Sequence, residues 1–243
     1  MCATNFLTEA RRSGSASSSN LNPTVVKSIV NPREVSAKDF YKILIGSVLP
    51  RPIAWVSTVS KEGVDNLAPF SFFTVASANP PVLCFAPAIK SERAENKTVG
   101  VPKDTLVNVR ETGEFVVNVV SRHLVEAMNQ TSYDYDRDVS EFDEVGLTRE
   151  PSLLVKPKRV AESYINFECK LYKLIEIGTE PMGGTLVMGE ILLAHLSDKV
   201  FKDGKIDVEV LDPIGRLGGL WYSGVKDRFE LPRPVAAKNV TKE

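Results

Sequence analysis

The sequence predicts a mainly β fold: a closed or nearly closed barrel with peripheral helices. Three observations carry this. Short runs rich in β-branched and aromatic residues recur along the chain, separated by turns that contain glycine or proline. Helical periodicity is confined to brief segments. So many strands expose fewer unpaired edges when the sheet closes on itself. The chain has 243 residues, 43% hydrophobic and 25% charged, so one core of this size needs no disulfides.

In chain order, residues 1–27 include the run "RRSGSASSSN" and lack an apolar period, so they read as a disordered tail. Residues 28–234 form the expected folded domain and 235–243 a flexible C-terminal tail. Ser36 can cap a helix that carries Phe40, Ile43 and Leu44 on one face and stops before Pro50 and Pro52. Residues 52–60 read as a strand, 61–64 as a turn with glycine, and 66–81 as the returning strand of a hairpin. Residues 81–87 make a third, fully apolar strand.

Asp104 or Thr105 can cap a short helix that Gly113 ends in the left-handed conformation. A strand over 116–120 and a short helix over 121–130 come next, then an acidic excursion over 133–144 whose Asp134 and Asp136 read as solvated. In "INFECKLY", Ile165, Phe167, Cys169 and Leu171 alternate with Asn166, Glu168, Lys170 and Tyr172, which places the two sets on opposite faces of a strand. "TLVMGEILLAHLSD" alternates little and reads as a strand buried on both faces, and "FKDGKI" as a turn.

Composition excludes several function classes. A net charge of -1 leaves no basic footprint for nucleic acid, and no apolar run is long enough to span a membrane as a helix. Three scattered cysteines and two histidines show no metal-ligand spacing; free thiols without a secretory leader fit a reducing, cytoplasmic setting. Phosphate-loop, dinucleotide and nucleophile-elbow motifs are absent. His195 reads as a satisfied core residue and His123 as a surface one. If the chain is an enzyme, a cofactor is expected to carry the chemistry.

The run "NLAPFSFFTVASANPP" interleaves small hydrogen-bonding groups with flat apolar ones. A flavin asks for that combination: apolar surfaces for its ring, amide and hydroxyl partners at its polar edge and ribityl chain, and N–H groups with a cation for its phosphate. Trp55, Phe70, Phe72 and Phe73 offer surfaces; Ser57, Thr58, Asn66, Ser71 and Thr74 offer polar groups; Lys103, Asp104 and Thr105 open a helix that could receive a phosphate. By chemistry alone the pattern fits equally well an ordinary barrel wall of strand threonines and core phenylalanines.

"RPIAWVSTVSKEGVDNLAPFSFFTVASANPPVL" followed by "KDTLVNVRETGEFVVNVV" resembles the flavin reductase-like, FMN-binding split-barrel family, which includes flavoredoxins and the reductase components of two-component flavin monooxygenases. The resemblance continues through "GGTLVMGEILLAHLSD" and "PIGRLGGLWYS". It implies a split β-barrel, FMN, reduced nicotinamide (NADH or NADPH) as electron donor, a homodimer, and an electron acceptor such as a partner monooxygenase. It assigns Ser57 and Thr58 to the ribityl chain or phosphate. Asn66, Leu67 and Ala68 go to the ring, and Ser71, Phe72 and Phe73 to the same pocket. Lys103 and Thr105 go to the phosphate, with Arg51 a further candidate; Arg216 and Tyr222 go to a partner subunit's flavin. Hydride transfer from nicotinamide to flavin calls for no side-chain general base. Many reductases of this family carry a Gly-Asp-His motif ahead of the long late strand; here the segment reads "EPMGGTLVMGE" and has no histidine. A flavin-holding electron carrier reduced by a protein partner is the alternative that this departure leaves open.

Overall fold

The computed structural model describes residues 25–90 and 100–234. Most of the expected N-terminal tail and all of the C-terminal tail lie outside the described residues; Val25, Val26 and Lys27 are exposed and have no regular structure. The fold is mainly β. Helix α1 (Ala37–Ser47) starts where expected, with the Ser36 hydroxyl accepting the Asp39 N–H at 3.1 Å. Its apolar face does not pack inward: no residue of α1 is buried, and Ile43 and Leu44 are each 43% exposed.

After the short strand β1 (Arg51–Pro52), β2 (Ala54–Val59) and β3 (Asp65–Phe70) form the expected hairpin, turned at Gly63 with φ +89°. The predicted single strand over 66–81 is instead two: β3 ends at Phe70 and β4 (Phe73–Ala78) begins after Ser71 and Phe72. Strand β5 (Pro81–Phe85) pairs with β4. Helix α2 (Asp104–Thr112) is flanked at its start by Lys103 rather than by a capping Asp104 or Thr105, and ends as expected at Gly113 with φ +70°. Next come β6 (Glu114–Val119), a 3-10 turn (Arg122–Leu124), α3 (Val125–Gln130) and the four-residue α4 (Glu141–Glu144). Two-residue strands β7 (Arg149–Glu150) and β8 (Arg159–Val160) pair ahead of the long hairpin of β9 (Ile165–Glu176) and β10 (Thr185–Leu196). The chain closes with the hairpin β11 (Phe201–Lys202) and β12 (Lys205–Ile206), α5 (Val208–Leu211), and β13 (Gly215–Arg216) with β14 (Tyr222–Ser223), which join β1 in a small sheet.

The main sheet has seven strands in the order β3-β2-β6-β9-β10-β5-β4, every neighbouring pair antiparallel. Its two edge strands are consecutive in sequence. A flat sheet of seven strands would hold its edges roughly 30 Å apart. The link through Ser71 and Phe72 can span only about 11 Å. The sheet must therefore curl until its edges meet at that link, and because β3 and β4 share no ladder, the barrel stays split between them.

One core fills the barrel with Ala54, Val56, Phe85, Phe115, Val117 and Val187 among others. A second lies on the outer face of β2 and β3, where Trp55 and Leu67 pack with Met128 and Phe142 under α3 and α4. Inside the barrel, Gly189 has no substitute, because a Cβ there would sit 2.1 Å from the Phe115 ring, itself fully buried. The second face of β9 is not solvent-facing over its first half: Asn166 is 3% exposed and Glu168 is 0% exposed. β10 is sealed on one face only; Leu192 is 39% exposed.

Candidate functional site

A groove of about 540 Å³ runs along β3, an edge strand of the main sheet, a volume within the range of small-molecule sites. Each wall comes from a different part of the chain. The strand end and link contribute Asn66, Ala68, Phe70, Ser71 and Phe72; the segment after β5 contributes Ala86 and Ala88 through Lys90. The start of α2 adds Lys103, Asp104 and Thr105, the chain leaving α3 adds residues 131–135, α4 adds Glu141 and α1 adds Tyr41.

Aromatic and polar groups alternate around this space. Tyr41 and Phe72 face each other with ring centroids 6.5 Å apart, and Tyr133 and Tyr135 meet edge to face at 4.9 Å. The Asn66 amide nitrogen donates to Thr58 Oγ1 at 3.2 Å and to Thr105 Oγ1 at 2.9 Å, which ties β3 to the first turn of α2. Asn108 donates to the same Thr58 oxygen at 3.0 Å, so the Asn66 side chain is held in a fixed orientation.

At the α2 end the groove carries two lysines, each paired with an aspartate. Lys90 Nζ and Lys103 Nζ lie 3.0 and 3.2 Å from one oxygen of Asp134, and Lys90 is 3.5 Å from Asp104. Arg137 reaches Asp104 at 3.2 Å. Asp134 is thus ion-paired rather than solvated. Burial opposes its charge, but the hydrogen bonds and charges of Lys90 and Lys103 outweigh it and hold the carboxyl below its ordinary range. No side chain caps the start of α2, so the helix presents the positive end of its dipole to the same spot.

Glu141 lies in the groove wall, 7% exposed, and accepts the Leu67 N–H at 2.8 Å. Burial pushes its carboxyl up to about 7, with Asp104 adding repulsion, while the Leu67 N–H and Lys103 pull the other way. A group of that kind changes charge near neutrality inside a ligand-sized space.

Of the residues singled out from sequence, the groove gathers Asn66, Ala68, Phe70, Ser71, Phe72, Lys103, Asp104 and Thr105. The others lie elsewhere. Trp55 is fully buried and donates its indole N–H to Thr131 Oγ1 at 2.9 Å, so it supports the wall from behind instead of offering a face. Ser57 is fully buried and donates to the Lys158 carbonyl at 2.5 Å, and Thr58 is the buried acceptor behind Asn66. The Leu67 side chain packs in the outer core with its N–H engaged by Glu141, and Phe73 leans on the barrel interior.

Arg51 is 6% exposed; its guanidinium donates to the carbonyls of Ile45, Val48 and Leu217 and to Ser71 Oγ at 3.4 Å, so it braces the end of α1 and the β3–β4 link without lining the groove. Arg216 stacks on Tyr222 at 4.4 Å, in that small sheet and outside the groove. Sequence reasoning missed Tyr41, Lys90, Asp134 and Glu141. The "SYDYD" run carried a signal in its two tyrosines, which bring flat apolar surface into an acidic stretch. The segment that lacks the family's histidine packs on the groove wall: Ile89 donates to the Gly183 carbonyl at 2.7 Å and Ala88 bridges Gly184. A Cβ on Gly183 would meet the Gly178 carbonyl oxygen at 2.5 Å, so this turn has no room for a side chain there.

His195 is engaged by Glu168 at 2.6 Å and His123 sits at the surface, 3.3 Å from the Glu162 carbonyl. No helix among the described residues is long and apolar enough to cross a membrane.

Comparison with known proteins places this geometry. An uncharacterized protein of Halalkalibacterium halodurans is 43% identical over 86% of this chain and 98% of its own length. The crystal structure of nitrilotriacetate monooxygenase component B from Bacillus cereus matches with a TM-score of 0.79 and 36% identity, covering 86% of this chain and all of that one. That of the 2-nitrobenzoate 2-nitroreductase of Pseudomonas fluorescens matches at 0.75 and 30% identity over 88% of this chain and all of that one. A putative flavin reductase with a split-barrel domain from Shewanella frigidimarina has a TM-score of 0.69, so the curled, split sheet is that barrel. The flavin reductase-like domain pattern matches residues 45–214, which hold all seven strands of the main sheet and every groove residue but Tyr41, and the chain belongs to the flavin reductase-like domain family.

Proposed function

We propose that this protein is an FMN-binding oxidoreductase that passes electrons from NADH or NADPH through the flavin to an acceptor. The observation that carries the reading is the groove itself. It joins a fixed amide (Asn66), flat surfaces (Tyr41, Phe72) and a two-lysine anion site at a helix start. That donor set matches the three parts of FMN: ring, ribityl chain and phosphate. When bound, FMN would supply the two-electron chemistry that the side chains lack.

The chain's own residues bind and orient. Thr58 and Thr105 lock Asn66, whose carbonyl oxygen remains an acceptor for the ring's polar edge. Phe72 and Tyr41 would offer apolar surface to the ring. Lys90 and Lys103 fix the phosphate end, and Glu141 holds a proton close to the segment that would meet the ring. Rapid mixing of FMN-loaded protein with NADH and with NADPH tests the reading: loss of the oxidised-flavin absorbance is expected with at least one donor. No loss with either would sink it.

One observation favours a second reading, an FMN-holding carrier reduced by another protein. The segment that packs on the groove wall through Ile89 and Ala88 carries no histidine to meet a nicotinamide. Reduction by dithionite but by neither nicotinamide would select it. Likeness to a component B of nitrilotriacetate monooxygenase supports a monooxygenase as the acceptor. The outward apolar face of α1, continued by Val48, Leu49, Phe72 and Val75, supports a homodimer. In that dimer Arg216 and Tyr222 would reach the flavin of the second subunit. Light scattering should give the mass of two chains, and the mass of one chain would reject the dimer.

A further inference from the structure

The anion end of the groove is already filled by the chain. One carboxylate oxygen of Asp134 bridges Lys90 Nζ at 3.0 Å and Lys103 Nζ at 3.2 Å, in front of a helix start that no side chain caps. A phosphate oxygen bound there would make the same two contacts. Lys90 is the deeper cation, its side chain 10% exposed, while the side chains of Lys103 and Asp134 are 35% and 23% exposed. Asp134 lies on the excursion between α3 and α4, outside any helix or strand, so it can leave without unpacking a core.

We propose that Asp134 is a built-in competitor for the flavin phosphate and the residue that sets how strongly the groove prefers a phosphorylated flavin over an unphosphorylated one. This rests on the FMN reading above and goes beyond it by naming what the phosphate must displace.

The charges favour the exchange. A phosphate monoester carries about -1.5 to -2 near neutrality and a carboxylate -1, so phosphate wins both lysines once Asp134 swings out. Asp104 stays behind, held by Arg137 at 3.2 Å, and does not replace Asp134, because it lies 3.5 Å from Lys90 and has no ion pair with Lys103 among the described residues. The exchange lowers FMN affinity relative to an open two-lysine site and leaves riboflavin, which has no phosphate, untouched. The bridge also forms a thin partition. Lys90, Asp104, Asp134 and Tyr135 line both this groove and a neighbouring one of about 510 Å³. Asp134 therefore marks where a ligand that fills the first groove ends.

Equilibrium fluorescence titration of wild type and Asp134→Asn with FMN and with riboflavin tests this. Asparagine keeps the size and removes the charge. In D134N at low ionic strength, FMN affinity should rise about 5- to 10-fold, an effect that salt diminishes, while riboflavin affinity stays within about twofold. Unchanged or weaker FMN binding in D134N, with wild type binding FMN normally, would overturn the proposal and leave the flavin reading standing. Equal changes for both flavins, or loss of both, would overturn it too, since Asp134 would then shape the groove and not compete for phosphate. A wild-type protein that binds neither flavin would instead remove the FMN reading, and this proposal with it.

Discussion

Two polar clusters in this molecule put carboxylates to opposite ends. Beneath β9, Glu168 is fully buried and its oxygens accept the N–H groups of Leu153 at 2.8 Å and Leu154 at 2.6 Å as well as His195 at 2.6 Å. Beside it, the Asn118 amide donates to the Trp55 carbonyl at 2.9 Å, and its oxygen accepts the Val160 N–H at 3.0 Å and the Asn166 amide at 2.7 Å. Every strong donor and acceptor in that cluster has a protein partner. The groove cluster of Lys90, Lys103, Asp104 and Asp134 is paired as well, but its members are partly open to solvent and their partners are mobile-length side chains.

The first cluster anchors the 151–160 segment to the barrel; the second can trade one anion for another. Saturation by fixed backbone groups, more than charge, separates a structural polar cluster from a ligand site.

The largest effect expected from breaking this contrast is on the sealed side. Glu168→Ala leaves two backbone N–H groups and His195 without their acceptor, at a cost of about 3–4 kcal/mol. Chemical denaturation should show it, while the variant that remains folded binds FMN as wild type does. An affinity loss with unchanged stability would reverse the assignment.

Glu141 stands between the two clusters, buried yet in the groove wall, and its effect depends on pH. The folded carboxyl titrates at about 7 against an ordinary 4.5, so between those values the folded chain holds a proton that the unfolded chain has lost. Its contribution is therefore complete below the ordinary value and is lost as pH rises through 7. Glu141→Gln keeps an acceptor for Leu67 and has no charge to bury. Relative to wild type it should gain about 2 kcal/mol of stability between pH 5 and pH 8, a difference that thermal melts across that range would read. Parallel melting curves for the two proteins would show that Glu141 ionises freely.

The smallest stability effect belongs to the open side. Lys103→Met removes one half-exposed ion pair and should change stability by less than about 0.5 kcal/mol. It should nevertheless weaken FMN binding about tenfold and riboflavin binding hardly at all. Isothermal titration with both flavins decides this, and a variant that unfolds like Glu168→Ala would erase the distinction between the clusters.

Much of the scaffold was legible locally. The Ser36 cap, the turn at Gly63, the left-handed Gly113, the apolar β5 and the hairpin of β2 and β3 all carry their signals within a few residues. Part of the site was legible for the same reason, since Asn66 through Phe72 and Lys103 through Thr105 are two short continuous stretches. Trp55, Ser57 and Arg51 do not line the groove, and residue chemistry alone does not say which face of a strand meets solvent when both faces are packed. Glu168 and Asn166 look solvent-bound in an alternating strand until the 151–160 segment covers them.

The sequence by itself determined a mainly β chain with a flavin-suited stretch after its first hairpin, because turn, cap and alternation signals act through neighbours along the chain. Tertiary structure alone decided that this stretch breaks at Ser71 and Phe72 into the two edges of one curled sheet. It also decided that Lys90, Lys103 and Asp134 converge, that Glu141 reaches Leu67 across 74 residues, and that α1 turns its apolar face outward. Those outcomes depend on which distant surfaces close the barrel, and local propensity carries no information about the partner a side chain meets once the chain has folded back on itself.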